Sequence, residues 1–300
     1  MATTFESTYD LADGTGGSSI REDLASLISM VEPEETPFLS MSPRVPVTQT
    51  KHEWLEDSLG SATAANAYIE GFTFTERART PRTRLYNYTQ LCAKEFVVSG
   101  TARVVNTAGI ADEFSYQMMQ AVKELKREIE DKLIKNASAI AGDKSTASQF
   151  KGVLSSVTTN VNSDSENLGE ADFIASIKSS FDEGGRPNTA WVNSTMKSAI
   201  SAFTTSSTRN INAENGVLTN YVSVYESDFG IIKIVMDQFM NQTDVLIGDQ
   251  GRIKIGELRP LQEVEIAKTG DADNGLILIE LTTEVRNEEA LAKLTNKTKA

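Results

Sequence analysis

From Phe114 to Ile140 an apolar residue returns every three or four positions: Phe114, Met118, Val122, Leu125, Ile129, Leu133, Ala137 and Ile140 line up as one stripe. The spacing predicts a helix from about Asp112 to Ala139, roughly 42 Å long at 1.5 Å per residue. Upstream the period shortens to two. "VTQTKHEWL" and "LYNYTQLCAKEFVVSG" read as two long strands of a wide hairpin between Val47 and Gly100, with a loosely held tip around "GSATAANAYIEG". Downstream of the loop "GDKSTASQ", "FKGVLSSVTTNV" predicts a strand, "GEADFIASIKSSFDEGG" a helix and "TAWV" a short strand. "NSTMKSAISAF" then predicts a helix capped by Asn193 or Ser194. Strand signals follow in "YVSVYESD", "GIIKIVMDQ" and "DVLIGDQGRIKIGEL", and in the pair "LQEVEIAKTG" and "GLILIELTTEVRN" joined by "DADN". The whole is an α+β pattern.

The first forty-five or so residues read as an arm. "IREDLASLISMV" is a short amphipathic helix, and four of the seven prolines, Pro33, Pro37, Pro43 and Pro46, break regular structure after it. Such a segment has no core of its own and must pack on something else.

Composition narrows the function. No apolar run is long enough to span a bilayer, and the start of the chain lacks a basic, apolar leader, so no membrane role is expected and the cytoplasm is the expected place of synthesis. Cys92 is the only cysteine and His52 the only histidine, which excludes an internal disulfide, thiolate metal clusters and any motif built on two imidazoles. A small buried Cys92 and a half-exposed strand His52 are expected.

The net charge of −13 argues against broad phosphate neutralisation. The signs are segregated, however. Up to Glu35 eight acids, including Glu32, Glu34 and Glu35, face Arg21 alone, whereas Arg77, Arg79, Arg82, Arg84 and Lys94 occur with no intervening Asp or Glu. Opposite charges parted in this way suggest contacts within or between subunits.

Four stretches invite a chemical reading. In "YQMMQAVKELKREIEDKLIKN" nine charges crowd twenty-one residues, but Lys126/Glu130, Arg127/Asp131 and Glu128/Lys132 stand at i,i+4 spacing, so a solvated face is expected. On that reading Leu125→Asp abolishes folding and neutralising Glu130 is nearly silent. "AGDKSTA" lacks the glycines of a phosphate loop, and "GDADNG" lacks the ligands that would close a calcium loop. "STMK" at Ser194 to Lys197, with "KTG" at Lys268 to Gly270, matches two motifs of penicillin-recognising serine enzymes, Lys197 activating the Ser194 hydroxyl. Against it, Ser-x-x-Lys recurs at Ser148 to Lys151, and "SDF" at Ser227 stands where Ser-Asp-Asn belongs.

Arm, hairpin, long helix, α+β body and closing strands, in that order, together with "TPFLS", "HEWLEDSL", "RTRLYNYTQ", "FVVSGT", "YQMMQAVKELKREIEDKL", "ELRPLQEVEIAKTGD" and "NEEAL", resemble the Hong Kong 97-like fold of tailed-bacteriophage major capsid proteins. The resemblance covers nearly the whole chain. It implies an arm at 1–45, an extended loop at 46–99, a spine helix in 100–149, an axial domain at 150–258 and closing strands at 259–300. It implies subunits that form hexamers and pentamers of an icosahedral shell around double-stranded DNA, in the virion, with no catalytic residue, cofactor or metal. The arm is short, so any scaffolding comes from a separate protein, and portal and decoration proteins are further expected partners. An inter-subunit contact between Arg77, Arg79, Arg82, Arg84 and the acids Glu32, Glu34, Glu35 is expected. A tail-tube or other filament subunit is a further alternative.

Overall fold

The computed structural model describes residues 35–59, 67–73, 81–105, 110, 112–203, 223–268 and 270–299. Among the described residues the first elements are α1 (Pro37–Met41) and β1 (Arg44–Pro46), then β2 (Lys51–Glu56), β3 (Thr83–Tyr88), β4 (Gln90–Ser99) and α2 (Gly100–Val104). The spine helix α3 (Glu113–Lys135) follows, then α4 (Val153–Ser156), β5 (Val161–Asn162), α5 (Glu170–Asp182), β6 (Thr189–Val192) and α6 (Ser194–Ser201). The closing run is β7 (Val224–Ser227), β8 (Gly230–Met236), β9 (Val245–Gly248), β10 (Ile253–Ile266), β11 (Ala272–Val285) and β12 (Ala292–Leu294).

The strands form a four-stranded sheet ordered β1-β10-β11-β4, a six-stranded sheet ordered β5-β12-β9-β6-β8-β7, and the two-stranded β2-β3 ribbon. α3 begins where the Asp112 carboxylate accepts the Ser115 N–H at 3.2 Å, satisfying one of the helix's orphan donors. It lays Leu125, Ile129 and Leu133, all buried, against Cys92 and Phe96 of β4 and Ile277, Ile279 and Leu281 of β11. Each such side chain contributes about 1.5–3 kcal/mol by leaving water.

The six-stranded sheet is covered on both faces. Ala190, Val192, Val245 and Ile247 turn to a second core with Phe173 and Ile177 of α5 and Met196 and Ile200 of α6. Trp191 and Leu246 turn the other way, into the core of the spine helix. That double burial is why "TAWV" and "VLIG" are continuous apolar runs.

Several local expectations change. The strand expected through "LYNYTQLCAKEFVVSG" breaks at Thr89, placing β3 in the ribbon and β4 in the four-stranded sheet. The buried Thr89 donates its N–H to the Thr50 carbonyl at 2.8 Å and its hydroxyl to Glu280 at 2.8 Å. α3 stops at Lys135, four residues early, because the Asn136 backbone leaves the helical conformation and its side-chain amide donates to the Phe150 carbonyl at 3.0 Å. "FKGVLSSVTTNV" holds the helical turn α4 where a strand was expected, with Phe150, Val153 and Val157 fully buried. Pro37 opens the helix α1, its fixed φ suiting the first helical position. β10 runs straight through Pro260, where register shifts absorb the missing donor, and "DADN" lies largely inside β11. Gly275 of β11 lets the Phe96 ring approach: a Cβ there would lie 2.3 Å from Cζ.

The packing of α3 makes Leu125 a direct test of the core. Leu125→Ala is expected to lower unfolding free energy by about 2–5 kcal/mol, read from the urea midpoint, and Leu125→Asp to yield no soluble folded chain.

Candidate assembly surfaces

The β2-β3 ribbon is anchored at its root. The buried Asn87 donates its amide to the Thr283 carbonyl at 2.9 Å and the Lys151 carbonyl at 3.1 Å, while its Oδ1 accepts the Lys151 N–H at 2.8 Å and the Tyr88 N–H at 3.0 Å. Asn87 thus spends its whole side-chain capacity tying ribbon, β11 and the α4 segment together. His52 Nε2 lies 2.8 Å from Glu284 Oε2, and Glu284, itself buried, also takes the Arg286 guanidinium. Burial alone would raise the Glu284 carboxyl, but the bonds from His52 and Arg286 hold it below its ordinary value. Glu56 accepts the N–H of Asn287, whose left-handed φ of 53° turns that donor toward the ribbon.

Away from the root the ribbon shows apolar surface. Between β2 and β3, Tyr68 and Phe72 stack at 4.4 Å, yet they are 67% and 56% exposed, and Leu59 and Ile69 are 99% and 85% exposed. A two-stranded ribbon without a second layer is marginal on its own, and apolar groups gathered on one projection mark a contact surface. The outer side of the four-stranded sheet adds exposed Leu91, Val97, Leu261 and Ile266.

Of the proposed contact residues, the described ones are Arg82, Arg84 and Glu35. Arg82 Nε stands 3.3 Å from Asp57 Oδ2 and Arg84 Nη1 3.5 Å from Glu53 Oε2, both pairs bridging the ribbon and largely exposed. Pairs in that much solvent are weak and leave the guanidinium faces open. Glu35 is exposed just before α1. Arg77, Arg79, Glu32 and Glu34 lie outside the described residues.

Glu130 corrects the solvated-face expectation. It is fully buried, and its two oxygens accept the Phe38 N–H at 2.6 Å and the Leu39 N–H at 2.7 Å, capping α1 from 92 residues away. Thr36, at the N-cap itself, makes no side-chain cap. The buried Asp237, just past β8, is the second carboxyl at this point. Burial and the Asp237 charge push Glu130 up to about 8, and burial pushes Asp237 up as well. The sequence carries one trace of this: Glu130 stands three and four residues before Leu133 and Ile134, on the edge of the dry face. Other helix charges pair differently from the expected i,i+4 set: Asp131 meets Lys135 at 2.6 Å, and Lys94 of β4 bridges Glu124 and Glu128 at 3.0 and 2.8 Å.

The remaining motifs assemble no reacting centre. Ser194 donates its hydroxyl to Asn193 Oδ1 at 2.9 Å, and Lys197, one turn on, is buried while Ser194 is exposed. Lys268 lies two residues past β10 of the other sheet and pairs with Asp273. Asp143 in "AGDKSTA" accepts the Ser145 and Thr146 N–H groups, each at 2.7 Å, forming a turn, and those bonds hold its carboxyl down at about 2. Cys92 is buried, and burial pushes its thiol up to about 11, leaving it inert. Among the described residues no group of three or more His, Cys, Asp and Glu could hold a metal ion, and no helix is long and apolar enough to cross a membrane.

This architecture recurs in solved shells. The capsid of the native GTA particle superposes with a TM-score of 0.68 at 13% identity, covering 96% of this chain and 99% of that one. The cyanophage A-1(L) capsid does so with a TM-score of 0.68 at 11% identity, covering 97% and 99%. The fold is therefore that of the Hong Kong 97-like capsid subunits. The SU10 major capsid protein family model matches residues 1–298, and the chain belongs to that family of structural virion proteins. The major capsid protein of Escherichia phage Phieco32 is 34% identical over 110 residues, which is 37% of this chain and 31% of that protein.

Asn87 gives the site its structural test. Asn87→Ala strands several buried backbone groups at the ribbon root and is expected to cost about 2–4 kcal/mol, measured by chemical denaturation, with proteolysis between β2 and β3 accelerated.

Proposed function

We propose that the chain self-assembles into hexamers and pentamers that close an icosahedral phage head around double-stranded DNA. One observation carries the reading: the ribbon is rooted firmly in its own subunit and presents stacked Tyr68 and Phe72 with Ile69, exposed among the described residues, as apolar surface suited to a contact with a neighbouring molecule. The net charge of −13 suits a shell that encloses DNA without gripping it. In this reading the parts are an arm at 1–45, an extended loop at 46–99, the spine segment at 100–149, an axial domain at 150–258 and closing strands with a tail at 259–300. The chain is no enzyme: the exposed Ser194 hydroxyl is bonded to Asn193, and Lys197 is buried. Arg77, Arg79, Arg82 and Arg84 meet Glu32, Glu34 and Glu35 of an adjacent subunit, the weak pairs of Arg82 and Arg84 on their own ribbon leaving those cations available. Scaffolding, portal and decoration functions fall to separate proteins.

Sedimentation and negative-stain microscopy test the assembly. The purified chain is expected to give capsomers or shells, and an Ile69→Asp, Phe72→Asp variant to stay folded by circular dichroism but sediment as a small species. Rods would favour a tail-tube subunit. A monomer labelled by a fluorescent β-lactam at Ser194 would favour the serine-enzyme alternative.

A further inference from the structure

We propose that Glu130 and Asp237 form a proton-operated latch, which holds α1 in the seam between the spine helix and the six-stranded sheet while the pair keeps one proton and loosens when both carboxyls ionise. Both side chains are fully buried. Glu130 uses its two oxygens on the Phe38 and Leu39 N–H groups, at 2.6 and 2.7 Å. Asp237 takes the Phe239 N–H on Oδ1 at 2.8 Å, and among the described residues its buried Oδ2 has no hydrogen-bond donor. The Asp237 charge raises Glu130, and a proton on one of the two carboxyls gives the pair the donor that the buried Asp237 Oδ2 otherwise lacks. The pair therefore titrates as a unit.

The surroundings cannot replace that proton. α1, "PFLSM", carries no titratable group, and the backbone around Asp237 contributes N–H donors alone. The charged groups acting on the pair sit on the spine helix: Lys135 lowers Asp237 and Asp131 raises it, but those two are paired with each other at 2.6 Å and largely cancel. What the latch holds is specific. Phe38 is fully buried with its ring edge-on to Trp191 of β6, centroids 5.4 Å apart, so release of α1 uncovers the face of the six-stranded sheet that looks toward the spine.

The sign follows from linkage. Unfolded glutamates lose their proton near pH 4.3, whereas the folded pair keeps one until about pH 8. Stability from the pair is complete below the unfolded value and is lost as pH rises through the folded one, the folded-to-unfolded ratio falling roughly tenfold per pH unit between them. This argument concerns one chain and holds whether or not the chain builds shells.

The test compares urea midpoints and Trp191 emission of the full chain from pH 5 to pH 9, in a Trp54→Phe background that leaves Trp191 as the sole tryptophan. Glu130→Gln removes the titrating acid and keeps one oxygen for the α1 N–H groups, so it also weakens the cap, and the readout is its pH slope and not its absolute stability. Asp237→Asn removes the second charge and serves if the first variant does not fold. The latch predicts that the parent's urea midpoint falls steadily from pH 5 and levels off above about pH 8, that Trp191 emission of the folded chain shifts with a midpoint near that upper value, and that both variants flatten the two profiles. A parent that is flat over this range, or variants that lose stability equally at every pH with the parent's slope intact, would overturn it.

Discussion

The Glu130 carboxylate joins parts of the chain that nothing else joins so directly. It projects from the spine helix, caps α1 through Phe38 and Leu39, and meets Asp237 at the end of β8. An ionised carboxylate taken out of water costs several kcal/mol unless its lone pairs are satisfied in place. Two short N–H bonds and a shared proton meet that demand, but only with the helix, α1 and the sheet all in position. An apolar side chain could fill the same space with more stability and without fixing where α1 begins. The joint thus sets geometry more than it adds energy, and the edge-on contact of Phe38 with Trp191 depends on it.

From that joint outward the molecule divides into what is finished and what is not. Both sheets find cover: α3 seats on β4 and β11, while the six-stranded sheet is sandwiched between that core and the layer of α5 and α6. Among the described residues the ribbon finds none. Its root is bonded through Asn87, His52 with Glu284, and Glu56 with Asn287, whereas the segment carrying Tyr68, Ile69 and Phe72 ends in solvent. Rigid attachment at one end and unburied apolar surface at the other is the design of a part meant for a neighbour, in keeping with membership of the SU10 major capsid protein family.

Much of this was legible in the residues. Leu125, Ile129 and Leu133 announce the spine by period alone, and Thr189 to Val192 read as a short strand, whose cover on both faces only the fold reveals. What failed to show were features set by partners distant in sequence. Thr89 splits a strand because of Thr50 and Glu280; Asn136 ends a helix because of Phe150; the turn α4 forms where Phe150, Val153 and Val157 can reach the core together. Glu130 was read as one rung of a charged ladder because Lys126 stands four residues before it, and its true donors lie 91 and 92 residues away. The contact residues Arg82 and Arg84 were legible as a basic cluster, but a cluster carries no record of whose acids it meets.

The account turns on the bond between Glu130 and α1, and amide hydrogen exchange reads that bond directly. At pH 6 the Phe38 and Leu39 amides are expected to exchange as slowly as those of Leu125 and Ile129 in the spine, despite lying in the first turn of a five-residue helix. Exchange of Phe38 and Leu39 at the rate of freely exposed amides, with the spine still protected, would contradict it.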